Sequence, residues 1–184
     1  ATAAVITQIP ASVMDAGYAT TTAASIASLY LFIAIPGKLV LGHIYDRYGV
    51  KSGILFGNTM FFLSVVCLIF IKHQPFLYLM AILFGFGTCI GTVSAPVITS
   101  GIFGTKHYAE IYGFLSLFPS VGYALGGPLI ASAYDLTGSY NIAWIIVAVL
   151  SIVMTAFLLY SYRVSRVCIK EQEKTADKAK NTMK

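Results

Sequence analysis

The chain alternates between long apolar stretches and short clusters of charge. Five stretches contain no Asp, Glu, Lys or Arg: 16–37, 52–71, 74–105, 111–134 and 136–162. Each stretch is long enough for one crossing, because a helix needs about 20 apolar residues to span the core of a bilayer. Helices satisfy their own backbone hydrogen bonds in lipid, and the period-2 alternation of a membrane barrel is missing. The pattern therefore predicts an all-α membrane protein, a multi-pass helical bundle.

The apolar stretches also predict where the helices lie. We expect spanning helices at about 20–42, 52–71, 75–98, 108–134 and 140–162. A shorter run, 1–9, ends before Pro10 and reaches only about 14 Å as a helix, so we interpret it as the last half of a truncated helix. The region 1–163 is thus predicted to be one transmembrane half-bundle, and 164–184 a charged tail.

Composition supports the membrane class. Apolar residues make up 58% of the chain and charged residues only 10%, against about 25% charged in soluble domains. The net charge of +5 comes from the loops and the tail, so it predicts no nucleic-acid partner. The apolar stretches lack the converging His, Asp, Glu or Cys side chains that a membrane enzyme or a metal site needs. We therefore expect neither an enzyme nor a cofactor or metal.

The basic residues predict the orientation in the membrane. Lys72 falls on one side of the alternating connections, and all the other Lys and Arg residues fall on the opposite side: Lys38, Arg47, Lys51, Lys106 and the seven within 163–184. Loops rich in Lys and Arg stay in the cytoplasm. We therefore expect a cell (plasma or inner) membrane protein with a cytoplasmic carboxy terminus.

The stretch "GHIYDRYG", 42–49, carries the most specific motif, G-x-x-x-D-R-x-G. Gly42 lets a neighbouring helix approach closely, and Gly49 permits a tight turn with positive φ. Asp46 and Arg47 lie at the membrane boundary, where they offer a charge pair and a cap for a helix amino end. The spacing indicates a structured inner loop.

This motif resembles the signature of the major facilitator superfamily. Two further segments, "FGTKHYAEIYG" (103–113) and "GYALGGPLIASAYDLTGSY" (122–140), resemble its oxalate/formate antiporter and monocarboxylate transporter branch. The resemblance implies that the chain is the carboxy-terminal six-helix half of a major facilitator fold. It also implies that a missing amino-terminal half is its partner.

The resemblance implies a role for one cation. Lys38, directly after Gly37, stands where this branch places a cation that faces the cavity and pairs with an anionic substrate. Two departures, Ala34 and the lack of any cation in 111–134, make a dicarboxylate harder to support. The implied function is secondary active transport of a small organic anion, preferably a monocarboxylate, by alternating access with proton coupling or anion exchange. A sugar or drug carrier of the same superfamily and a non-transporting sensor remain alternatives.

The resemblance also implies moving parts. The motif residues Gly42, Asp46, Arg47 and Gly49 would latch the inner face. A second segment, "ASAYDLTG" at 131–138, shares small-x-x-Tyr-Asp-x-x-Gly with 42–49, as inverted three-helix repeats would leave behind. In the helix that leads into this second segment, the sequence predicts a hinge or close packing at Gly122, Gly126, Gly127 and Pro128.

Overall fold

The computed structural model describes residues 2–104 and 108–182, with side chains over 5–100 and 108–164. Five α-helices follow one another along these residues: α1 Thr2–Asp15, α2 Thr20–Ile69, α3 Gln74–Phe103, α4 Tyr108–Thr137 and α5 Tyr140–Thr182. Four of them, α2 to α5, contain segments that are long and apolar enough to cross a membrane. The chain folds as an all-α membrane bundle, as the sequence predicted.

Helix α2 is broken at Gly49. Its backbone there has φ 81° and ψ 170°, which is not helical, and the two segments 20–48 and 50–69 run on either side of the break. An L-residue with a side chain is strained at this positive φ, whereas glycine is not. The 50–69 segment is about 30 Å long, one bilayer core. We call the end of the bundle that holds Gly49 and Gly104 the motif end, and the end that holds Gly17 and Gly138 the far end.

Helix α1 continues past the point at which the sequence predicted its end. Pro10 lies inside the helix, which runs to Asp15, and the connection to α2 is short. Proline removes one backbone hydrogen bond, but a neighbouring helix and local side chains can compensate for that loss in a membrane bundle. The Ser12 hydroxyl, for example, donates to the carbonyl of Ile9 at 2.9 Å. The prediction that Pro10 stops this run was wrong.

The core of the bundle lies mainly between α1, α2, α3 and the start of α5. Its largest fully buried side chains include Trp144 and Phe84. Helices α2 and α3 approach closely at Gly87, where a Cβ would lie 2.6 Å from the backbone nitrogen of Phe61. Small residues at such crossings let two backbones come together.

Helix α4 stands apart from this core. Ile130 is its one buried residue among those described, although the helix is apolar along its length. Phe118, Leu125 and Leu129 each expose more than half of their side-chain surface. In a membrane protein, such an apolar face contacts lipid or another protein surface.

Candidate substrate and gating site

Lys38 lies on the exposed side of α2. The residue before it, Gly37, is buried against α3, where a Cβ would lie 2.9 Å from the Cys89 sulfur. The Cys89 thiol hydrogen-bonds to the carbonyls of Gly85 and Ala34 at 3.3 and 3.4 Å. This packing fixes the rotation of α2, so that Gly37 faces inward and the next side chain, Lys38, points away from the α2–α3 contact.

The surface around Lys38 is apolar. Leu31, Ile35 and Leu39 expose 57%, 63% and 75% of their surface. Lys38 lines neither of the two cavities described below. Helix α2 thus presents a single positive charge within an exposed apolar strip.

The end of the motif forms the turn in α2. Gly42 lies within the helix before it, and no described residue outside its own helix comes within 4 Å of a Cβ at Gly42, so the prediction of a close helix approach there was wrong for the described residues. Gly49 adopts the positive φ expected for it, while Asp46, Arg47 and Tyr48 are exposed just before it. The Arg47 guanidinium lies 5.9 Å from the centre of the Tyr48 ring, a cation–π distance. Within the described residues, Asp46 forms no ion pair, so the charge pair that its position suggested is not formed there.

Tyr45 is a motif residue whose role the sequence did not indicate. Its ring is 5% exposed and packs on Gly53, where a Cβ would overlap it. Its hydroxyl hydrogen-bonds to the Ser94 hydroxyl of α3. The motif turn is therefore attached to α3 by a buried side chain.

The second motif copy is attached in a similar way. At the far end, the Tyr134 hydroxyl of α4 donates to the Asp15 carboxylate of α1 at 2.6 Å. Tyr134 also stacks on Tyr140, with 4.4 Å between ring centres, and Tyr140 stacks in turn on the buried Trp144. Hydrogen bonds that involve a charged acceptor are among the stronger ones in proteins.

Of the predicted hinge residues, Gly127 lies where α1 contacts α4. Helix α4 continues through Gly126 and Pro128. The Gln8 side-chain amide of α1 donates to the carbonyl of Gly127 at 3.4 Å, and a Cβ at Gly127 would be 3.6 Å from the Thr7 hydroxyl. Among the residues that the structure describes, none lies within 4 Å of a Cβ at Gly122. A hinge at this segment stays a prediction.

Gly122 borders a cavity of about 540 Å³ that is lined by α3, α4 and α5 and by Ile6 of α1. The polar groups on its wall are the hydroxyls of Thr88, Thr92, Ser94 and Tyr123. Thr88, Thr92 and Ser94 lie close together on α3, and the i, i+4 spacing of the two threonines is a local signal for a shared helix face. Tyr123 comes from α4, and no local sign in the sequence indicates that it joins them. Among the described residues there is no group of three or more His, Cys, Asp or Glu side chains that could hold a metal ion.

Comparison with known proteins identifies the class of protein. The model of the Major Facilitator Superfamily matches residues 1–184. The chain belongs to the major facilitator superfamily, a family of transporters rather than enzymes. This match confirms the resemblance that the 42–49 motif suggested.

Individual relatives indicate which branch of the superfamily the chain resembles. The chain is 28% identical to mouse monocarboxylate transporter 14 over 136 residues, which are 73% of this chain and 26% of that protein. It is 32% identical to monocarboxylate transporter 9 of Pongo abelii over 110 residues, 59% of this chain and 21% of that protein. A stretch of 44 residues is 52% identical to MFS-type transporter 1 of an Ophiocordyceps species, covering 24% of this chain and 10% of that protein.

The chain spans about a quarter of the length of the monocarboxylate transporters that it matches. No solved structure matches the chain. At these identities, the comparisons support the monocarboxylate branch of the superfamily.

Proposed function

We propose that the protein is a secondary active carrier that moves a small organic anion, preferably a monocarboxylate, across the membrane by alternating access. The observation that carries the proposal is Lys38, a cation on an exposed and otherwise apolar strip of α2. It lies eight residues before Asp46, about 12 Å along the helix axis. A charge at that depth is costly unless it faces a cavity or a counter-ion. A bound carboxylate offsets this cost and gives the binding its specificity.

The charge pattern favours a substrate with one carboxylate. Lys38 is the one Lys or Arg within residues 16–46, and the stretch 111–134 has none. A second carboxylate would leave water for an apolar surface without a cation to pair with, which is strongly unfavourable. The names of the similar proteins from mouse and Pongo abelii point to the same substrate class. Cotransport of a proton or exchange for another anion would balance the charge that moves.

The exposed surfaces support a second half as the partner. Apolar α4 is exposed almost throughout, and the charges of Asp46 and Arg47 project from the motif end. In our proposal, an amino-terminal half covers part of these surfaces, and the two halves rock about a site next to Lys38. Asp46 and Arg47 then latch the motif end by contacts with that half. The segment from Gly126 to Pro128 supplies the bend in α4.

We also propose that the motif end and the tail after residue 164 face the cytoplasm, in a cell membrane. The basis is the Lys and Arg distribution, with Lys72 alone at the far end. Protease added outside sealed cells should leave an epitope on the tail intact. Loss of the epitope in sealed cells would reverse this orientation.

Counterflow tests the substrate class. The natural protein is reconstituted into vesicles that are loaded with unlabelled lactate, oxalate or glucose, and uptake of the same labelled compound is followed. We expect accumulation with lactate and little with oxalate or glucose. Accumulation with glucose alone would make the protein a sugar carrier. Absence of counterflow with a broad panel of solutes, in protein that still binds ligand, would make it a sensor.

A further inference from the structure

The chain contains two three-helix units: the first comprises α1 and the 20–48 and 50–69 segments of α2, and the second comprises α3, α4 and α5. The structure shows more similarity between them than the eight-residue sequence match. Four glycines have positive φ in the described part of the chain: Gly17, Gly49, Gly104 and Gly138. Gly49 and Gly138 end the two motif copies and are 89 residues apart, while Gly17 follows α1 and Gly104 follows α3, 87 residues apart. The first and second helices of each unit therefore end in the same kind of turn, at opposite ends of the bundle.

Equivalent tyrosines of the two motif copies each connect to the first helix of the other unit. Tyr45, at the end of the middle helix of the first unit, hydrogen-bonds to Ser94 of α3, the first helix of the second unit. Tyr134, at the end of the middle helix of the second unit, donates to Asp15 of α1, the first helix of the first unit. Each tyrosine thus joins its own unit to the first helix of the other unit. One connection lies near the motif end and the other at the far end.

Both of these first helices contain a proline near the connection. Pro10 precedes Asp15 by five residues in α1, and Pro96 follows Ser94 by two residues in α3. A proline inside a helix removes a backbone hydrogen bond and marks the point at which the helix bends most easily. Asp15 is the last residue of α1, beyond its proline, whereas Ser94 lies just before Pro96 and nine residues before the end of α3 at Phe103. The proline-containing segments 10–15 of α1 and 94–103 of α3, which we call the helix ends, are therefore the parts that a side-chain hydrogen bond can hold in place.

We propose that Tyr45 and Tyr134 are a symmetry-related pair of positioning residues, each of which holds the end of the opposite unit's first helix and opposes opening of the bundle on its own side. Tyr45 acts at the motif end through Ser94, and Tyr134 acts at the far end through Asp15. The role in access rests on the proposed transport function, whereas the restraint on the two helix ends does not.

Amide hydrogen exchange on the purified natural protein tests the restraint without any transport. Tyr134→Phe should speed exchange at 11–15 in α1 and leave 97–100 in α3 unchanged, and Tyr45→Phe should do the reverse. The expected change is about fivefold, which corresponds to the loss of roughly one net hydrogen bond. Tyr160→Phe, at an exposed tyrosine of α5, is the control. Asp15→Asn keeps an acceptor and should preserve slow exchange at 11–15, whereas Asp15→Ala should not.

Equal acceleration at both helix ends, or no acceleration at either, would overturn the proposed restraint. The role in access is tested by the half-saturating substrate concentrations measured from the two sides of the membrane. The apparent affinity from each side follows the population of the state that is open to that side. Tyr45→Phe should therefore lower the half-saturating concentration measured from the motif end relative to the one measured from the far end. Tyr134→Phe should change the ratio of these two concentrations in the opposite direction.

If the ratio of the two half-saturating concentrations changed in the same direction for Tyr45→Phe and Tyr134→Phe, the proposed role in access would be wrong. If neither variant nor the natural protein transported any solute, the transport proposal would fail. The exchange data would still decide whether the tyrosines hold the helix ends.

Discussion

At the scale of single residues, Asn58 is one of two side chains, with Trp144, that bury a nitrogen without a hydrogen-bond partner among the described residues. Asn58 is 3% exposed. It lines a cavity of about 340 Å³ between α2 and α5, together with Ser151 and Thr155. Those two hydroxyls donate to the carbonyls of Ala148 and Ser151 at 2.7 Å, so they offer lone pairs rather than protons.

Replacing Asn58 with leucine should stabilise the fold. An unsatisfied buried polar group costs about 1–3 kcal/mol, and the adjacent cavity has room for the larger side chain. We expect a higher midpoint of thermal unfolding in detergent for Asn58→Leu, and little change for the exposed neighbour variant Thr59→Val. A clear decrease for Asn58→Leu would mean that the amide has a partner in the membrane, such as water or lipid.

The sequence predicted some residue roles and missed others for a physical reason. The positive φ of Gly49 was predictable because the turn depends on local backbone sterics. The partner of Tyr45 is 49 positions away in the sequence, and the partner of Tyr134 is 119 positions away. Such pairs depend on how the helices pack against one another, and local sequence spacing does not predict helix packing. The structure places Lys38 on an exposed strip, and its contact with a substrate stays a prediction.

At the scale of helices, the apolar stretches indicated the spans because crossing length and hydropathy are local properties. The ends were harder to predict. Helix α3 runs to Phe103, beyond the predicted limit near residue 98, and α1 passes through Pro10. Apolar sequence continues through these points, and packing against neighbouring helices decides where the hydrogen bonds stop. The break at Gly49 was easier to predict, because charged residues and a glycine occur together there.

The contact between α2 and α3 should be the most sensitive helix crossing to a small increase in volume. Gly87→Ala places a methyl group about 2.6 Å from the Phe61 backbone, which cannot move without shifting α2. Overpacking of this kind costs about 1–3 kcal/mol. We expect a lower midpoint of thermal unfolding for Gly87→Ala.

Gly113→Ala is the matched control for this prediction. It changes a glycine of α4 that has nothing within 4 Å of its Cβ position. Alanine is the better helix former, so the control should be neutral or slightly stabilising. Equal losses in the two variants would show that the Gly87 crossing is not specially close.

At the scale of the whole molecule, the fold presents surfaces that its own core does not use. Helix α4 is apolar and exposed, and Lys38, Asp46 and Arg47 project without a partner of opposite charge in the described residues. The superfamily match accounts for the helical architecture. The transport proposal adds that Lys38 faces the amino-terminal half across the substrate site. Lys38 is therefore the residue to change first.

The most direct measurement is therefore monocarboxylate counterflow in the natural protein and its Lys38 variants. Lys38→Gln should lower kcat/KM by about tenfold or more, because a hydrogen bond to a charged group contributes roughly 1.5–3 kcal/mol. Lys38→Arg should retain most activity because it keeps the charge. Lys72→Gln, a matched loss of charge at the far end, should transport like the natural protein. If Lys38→Gln and Lys72→Gln both transported as well as the natural protein, Lys38 would not bind the substrate and the central claim would be wrong.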